Sequence, residues 1–435
     1  MVDALLEGAQ RAISLAKAVG ADAAFASMSR FRSVSVEVRD GELEKVQEST
    51  DTSLGLELYV EGRYSTHSTN DFAPASLAEF VEQAVALTRT LEVDAHRRLP
   101  DVGAYEPADL DLYDATVEAR SLDARLAQAN ALNAGLAGRD GVISATSSVF
   151  DGHGESGVVS SSGFAGIVRG TLTGLSASVT LRDVGDKRPE AGWAVSTRHL
   201  GQLPGPQAVG EEAMLRARRR LGTKKGPTMR TTMVVDRDAA TSLVVRLLGP
   251  TRGSAVQQGR SMWADKLGHR LVSDRLSIVS NPLIPRGVGS RPFDDEGFAA
   301  FEMPVIEEGT LKNYFLDTYY ARKLGVKPTT GSWGNIIVKP GARDLATIVD
   351  GTKRAIYVTD WLGGNADSTT GDFSFGVQGH IIEGGEIGAP IGEMNVTGNL
   401  LSLFRNLEEV GSDPWEHSML RVPTLVFGDV QFSGT

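Results

Sequence analysis

The chain has 435 residues, a net charge of −11, 41% hydrophobic and 23% charged residues, and no cysteine. That composition describes a folded globular protein with ample core, and it excludes disulfides, thiolate nucleophiles, Cys-ligated zinc and iron–sulfur clusters. The acidic balance is poorly suited to binding nucleic-acid backbones, and no apolar run reaches the roughly 18–20 residues of a membrane helix. The start, Met1-Val2-Asp3-Ala4, lacks the basic and apolar regions of a signal peptide, so a cytoplasmic protein with no membrane association is expected.

In chain order, Asp3 is placed to cap a helix to about Val19, with Leu5, Leu6, Ala9, Ala12, Ile13 and Ala16 on one face and Gly20 as its stop. The period then becomes two. Ser33–Val38 alternates, as do Leu54, Leu56, Leu58 and Val60, and Asp40-Gly41 and Glu61-Gly62-Arg63 supply turns of an antiparallel meander. Ser76 and Glu79 read as the capping box of a helix to about Thr90. A polar stretch from Asp94 to Asp114 precedes a helix opened by Ser121, with Leu122, Leu126, Ala129, Leu132 and Leu136 inward and an end near Gly138. Hairpins are expected from Val142 to Arg182, then a helix from about Gln207 to Leu221.

The run Gly222-Thr223-Lys224-Lys225-Gly226-Pro227 reads as a linker and divides the chain into an N-terminal domain, 1–225, and a C-terminal domain, 226–435. The second begins with a strand at Thr232–Val235. A helix capped by Asp236 or Asp238 follows and is broken by Gly249-Pro250. Strand and turn dominate thereafter, with hairpin tips at Glu307–Thr310 and Glu383–Glu386, short helices at Thr318–Leu324 and Leu400–Glu409, and a last strand at Thr424–Phe432. The fold class is α+β: antiparallel hairpins with packed helices first, mainly antiparallel β second.

Few residues carry generic chemistry. Gly152-His153-Gly154-Glu155-Ser156-Gly157 matches G-x-G-x-x-G, but a strand pattern follows it where a phosphate-binding helix is needed, so a hairpin turn is expected. The closest two of the seven histidines, His67 and His96, are too far apart to share a helix face, which leaves no zinc spacer. Asp294-Asp295-Glu296-Gly297 is expected to form a turn whose carboxylates accept backbone N–H bonds, with a cation site as the alternative. Arg216, Arg218, Arg219, Arg220, Lys224, Lys225 and Arg230 form one basic cluster at a helix C-terminus, read as a solvated helix end or as a docking surface for an acidic partner. Thr369–Val377 reads as an exposed turn running into a strand, either an edge open to β-augmentation or one paired within its own sheet.

Taken together, Ser290-Arg291-Pro292-Phe293-Asp294-Asp295-Glu296-Gly297, Tyr319-Tyr320-Ala321-Arg322-Lys323-Leu324-Gly325, Thr370-Gly371-Asp372-Phe373-Ser374, and Gly398-Asn399-Leu400 with Val410-Gly411-Ser412-Asp413 resemble the ordered signatures of the TldD/PmbA family. That family is also called modulator of DNA gyrase, or peptidase family U62. Ser412 departs from the usual Asn. The resemblance implies two branches: a TldD-like zinc peptidase with His-Glu-x-x-x-His on the helix after the first strand of the second half, and a PmbA/TldE-like partner without those ligands. Here that helix, Asp238–Gly249, has no His and no Glu, and it carries Arg246.

The resemblance therefore implies no catalytic and no metal-binding residue in this chain. It places zinc in a TldD-like partner subunit and implies an unfolded protein or precursor peptide as substrate. The residues it singles out for peptide or interface contact are Asn335, Thr370, Gly371, Asp372, Phe373 and Ser374. The alternatives are a standalone metallopeptidase with unconventional ligands and a homodimeric peptide-binding scaffold.

Overall fold

The computed structural model describes residues 2–102 and 108–434. Part of the Asp94–Asp114 stretch, residues 103–107, lies outside them.

The first sheet is made of β1 (Ala23–Arg39), β2 (Glu42–Val60), β3 (Arg63–Thr69), β4 (Val142–Ser160), β5 (Ala165–Leu181) and β6 (Glu190–Thr197) in the order β3-β2-β1-β4-β5-β6, antiparallel throughout. The β1–β2 turn is Asp40-Gly41, both at positive φ, the conformation that favours Asn, Asp and Gly in two-residue hairpins. Four main helices cover the sheet: α1 (Val2–Ala18), α2 (Pro74–Thr88), α4 (Leu122–Ala134) and α5 (Pro206–Arg218), with the single turn α3 (Ala115–Glu118) before α4. They bury two apolar clusters. One centres on Ala12, Ile13, Leu56 and Val81, the other on Leu132, Val149, Leu175 and Val209.

The second half holds α6 (Arg237–Leu248), α7 (Gly253–Gln257), α8 (Thr318–Leu324), α9 (Leu345–Asp350) and α10 (Leu400–Arg405). Its strands are β7 (Lys224–Lys225), β8 (Met229–Val235), β9 (Ile278–Asn281), β10 (Met303–Glu307), β11 (Thr310–Leu311), β12 (Asn335–Val338), β13 (Arg354–Ala366), β14 (Asp372–Glu383), β15 (Glu386–Asn399), β16 (Leu407–Val410), β17 (Leu420–Arg421) and β18 (Leu425–Ser433). They make a seven-stranded sheet, β16-β18-β8-β13-β14-β15-β7, and a five-stranded one, β11-β10-β9-β12-β17. A large core between them includes Trp263, Phe315, Phe375, Phe404, Phe427 and Phe432. The class is α+β, with a β-rich second half, as the alternation of periods predicts.

Several local expectations are corrected. The helix from Leu400 stops at Arg405, because Leu407–Val410 pairs with β18 and buries Leu407 and Val410. Ser76 caps nothing: α2 begins at Pro74, and Asp71 accepts the Ala73 N–H instead. Leu122, expected inward, is exposed. The G-x-G-x-x-G run lies mid-strand in β4 and not in a turn. Its glycines permit close packing: a Cβ on Gly157 would come within 2.8 Å of the Leu6 backbone N on α1, and one on Gly152 within 2.8 Å of the Phe31 ring.

Candidate functional site

The interior strand β8, between β18 and β13, runs directly into α6. Asp236 caps that helix, accepting the Asp238 N–H and the Tyr357 hydroxyl, and burial raises its carboxyl above the ordinary range. Ala240, Leu243, Val244, Leu247 and Leu248 point into the core. The opposite face, through Asp238, Ala239 and Ser242, borders a cavity of about 410 Å³ between the first-half α5 and β6 and the second-half sheet. Arg246, one turn further on, folds away over the Phe375 ring at 4.8 Å and donates to the Ser242 carbonyl.

The cavity brings together what the sequence scatters. Arg216 of α5 bridges Glu212 at 2.7 Å and Asp238 at 2.6 Å. Arg220 reaches Asp360 of β13 at 2.8 Å and the Glu190 carbonyl at 2.8 Å. Trp361 donates from Nε1 to the Ala239 carbonyl, and buried His380 donates from Nδ1 to the Gly388 carbonyl. Burial holds His380 below the ordinary histidine range. The basic cluster is thus only partly a solvated helix end: Arg216, Arg219 and Arg220 line the cleft.

The fit of this cleft to zinc is poor. Asp236 and Asp238 are committed to Tyr357 and Arg216, and three guanidinium groups share the space with them. Such cations oppose a divalent ion. Among the described residues, no group of three His, Cys, Asp or Glu side chains is arranged to hold a metal.

The signature residues resolve into clamps. Asn335 is fully buried at the start of β12. It donates to the Asn281 carbonyl and the Ser290 hydroxyl and accepts the Gly289 N–H. Asp294 accepts the Glu296 and Phe298 N–H groups, as the turn reading expects. Glu296 accepts the N–H and the hydroxyl of Thr318 at the head of α8. From α8, Tyr319 donates to Asp94, and Arg322 to the His96 and Arg98 carbonyls, tying the second half to the strap after α2. Arg97 of that strap stacks on Tyr319 and Tyr64.

The Thr370–Ser374 turn is built by Asp367, which accepts the Thr369 and Thr370 N–H groups, and by Asn399, which donates to the Thr370 carbonyl and Asp372. Gly371 is at φ +84°, where a Cβ would also meet the Met262 sulfur. Phe373 is buried and stacked on Phe375, while Thr370, Asp372 and Ser374 are exposed. The strand that follows is no edge. β14 pairs with β13 on one side and β15 on the other, so β-augmentation there is closed. No hydrogen bond links Asn335 to this turn among the described residues; the two segments belong to different sheets.

Glu296 makes a pH prediction. Burial pushes its carboxyl up to about 7. Folding then favours the protonated form, so this stabilisation is complete below about pH 4.5 and is lost as pH rises through about 7, a span worth on the order of 3 kcal/mol. Glu296→Gln should flatten that part of the stability profile, read from urea midpoints at about pH 5 and about pH 7.5. An unchanged slope would place the titration elsewhere.

Comparison with known proteins decides the family. Models of the PmbA/TldA metallopeptidase domain 1, central domain and C-terminal domain match residues 24–88, 97–221 and 228–434. The chain belongs to the PmbA/TldD family. The Metalloprotease PmbA of Escherichia coli O157:H7 is 28% identical over 437 residues, covering 99% of this chain and 96% of that protein. A homolog from Haemophilus influenzae is 28% identical over 97% of this chain and 94% of its own length. A crystal structure from Bacteroides thetaiotaomicron, described as a candidate modulator of DNA gyrase, superimposes with a TM-score of 0.95 at 36% identity, covering 99% of this chain and 98% of that one. TldE from Thermococcus kodakarensis shares the fold, with a TM-score of 0.88 at 18% identity and coverage of 98% and 100%.

Within this PmbA/TldD frame, the residues missed by sequence reasoning are Asp360 and Trp361, and His380, one of the scattered histidines, joins them in the cleft. They come from β13 and β14, far along the chain from α5 and α6. No local spacing joins them, and only the basic run at 216–220 gave a signal.

Proposed function

We propose that this chain is the non-catalytic, TldE/PmbA-like subunit of a heterodimeric TldD/TldE-type metallopeptidase acting on unfolded proteins or precursor peptides in the cytoplasm. The observation that carries the reading is α6. At the helix where a TldD-like subunit resembles a His-Glu-x-x-x-His zinc site, this chain has Asp238 paired to Arg216, Asp236 bonded to Tyr357, and no histidine. In this reading a TldD-like partner would hold the zinc and supply its Lewis-acid chemistry, and the residues of this chain hold none of it.

In this reading the units 1–225 and 226–435 act together, coupled by α5, α6 and the strap on α8. Thr370, Asp372 and Ser374 offer the exposed polar atoms for an interface. Gly371 and Phe373 shape their turn, and Asn335 fixes the signature loop from beneath. The names of the curated relatives support a place in metal-dependent proteolysis.

Metal analysis of the purified chain tests the assignment, with substoichiometric zinc as the expected result. Near-stoichiometric zinc lost on His380→Ala or His269→Ala would instead establish a standalone metallopeptidase with unconventional ligands.

A further inference from the structure

The cleft beside α6 contains one charge that its own neighbours do not satisfy. Arg216 and Arg220 are each bonded to a carboxylate. The guanidinium of Arg219, on the same wall, has no hydrogen bond and no ion pair among the described residues. Its electrostatic effect falls on the Tyr357 hydroxyl and the His380 ring. A half-buried guanidinium with five donors and no acceptor is an open half of a bidentate pair.

We propose that this cleft is a receptor for a peptide carboxylate, with Arg219 as its anchor. The proposal rests on the reading of the chain as a peptide-handling subunit and adds the chemical group it grips. Three observations select that ligand.

Glu212, Asp238 and Asp360 are already paired to Arg216 and Arg220, which leaves one guanidinium to neutralise one charge; against these flanking carboxylates a dianion such as inorganic phosphate meets about twice the repulsion of a monoanion. The planar carboxylate matches the guanidinium fork. About 410 Å³ falls within the range of small-molecule sites, more than an isolated anion needs, and the Trp361 ring with Ala191 and Ala239 gives an apolar wall for the side chain next to the carboxylate. Arg216 and Arg220 keep the cleft in shape by tying α5 to α6 and β13, so the anchor is presented on a braced surface.

The test measures binding of three probes to the full chain: the free acid of N-acetyl-Ala-Ala-Phe, its C-terminal amide, and the amide of N-acetyl-Ala-Glu-Phe. The free acid should bind at least about tenfold more tightly than its amide, the value of one charge-assisted hydrogen bond. Arg219→Gln should bring the acid down to the level of the amide, and Arg219→Lys, which keeps the charge and loses the fork, should fall between. Arg218→Gln, on the exposed side of the same turn, should change nothing.

If the Glu-containing amide binds as well as the free acid, an acidic side chain is the source of the carboxylate. If only the free acid binds tightly, it is the C-terminus. Three probes that bind alike, none that binds, or an Arg219→Gln protein that still prefers the acid would overturn the proposal. Pairing with a TldD-like subunit is scored separately on the same proteins. Acid-selective binding without pairing would leave the receptor standing and remove the heterodimer reading.

Discussion

Asp151→Ala should cost the protein about 3–5 kcal/mol, the range for removing one partner of a buried ion pair. Asp151 lies inside the first sheet, where it bonds Arg125 Nε at 2.7 Å, Arg120 Nη1 at 3.3 Å and the Thr173 hydroxyl at 2.5 Å. Its side chain is 2% exposed, against 4% for Arg125 and 8% for Arg120. Truncation leaves two guanidinium groups in a dry site with no counter-charge. Arg125 also donates to the Val117 and Arg120 carbonyls, so the same triad fixes α3 and α4 on β4 and β5. Urea unfolding measures the loss. The double change Asp151→Leu with Arg125→Leu should be milder than the sum of the two single changes, because it removes both charges together. Additive losses would show that the pair is not coupled.

Asn335→Ala should destabilise by roughly 3 kcal/mol through the polar groups it strands. The Gly289 N–H and the Asn281 carbonyl lose the Asn335 side chain at a site with no exposure, and the Ser290 hydroxyl loses its donor and keeps its bond to the Ile284 carbonyl. The result also decides the role of a residue singled out for peptide contact. A loss of stability matching a loss of processing marks Asn335 as a support for the signature loop. Unchanged urea midpoints with impaired peptide processing would mark it as a contact.

The period-two and period-3.6 patterns made most of the fold legible. Helix α8 spans Thr318–Leu324 as expected, and the structure shows both its ends to be set locally, by the Asp317 cap and by Gly325 in the left-handed conformation. Failures came where a distant partner outweighs a local pattern. Leu407–Val410 leaves a helical pattern to join β18, and the glycines of β4 answer to α1 and Phe31 and not to a turn.

The site was legible as a family signature and not as a geometry. Asn335, Glu296 and Asn399 were in view as motif residues, but their work as clamps depends on partners such as Thr318 and Thr370 brought in by tertiary packing. The cleft was invisible for the same reason. Its walls come from α5, α6, β13 and β14, and only folding sets Arg219 beside His380.

The central claim is that the chemistry of this family member resides in a second subunit. The direct measurement is cleavage of an unfolded protein by the purified chain alone, by a TldD-like subunit carrying His-Glu-x-x-x-His alone, and by the two together. The account predicts a stable complex whose activity appears only on mixing, is abolished by changing the histidines of the partner, and survives His380→Ala and His269→Ala in this chain. Zinc-dependent cleavage by this chain alone, lost with either histidine, would contradict it.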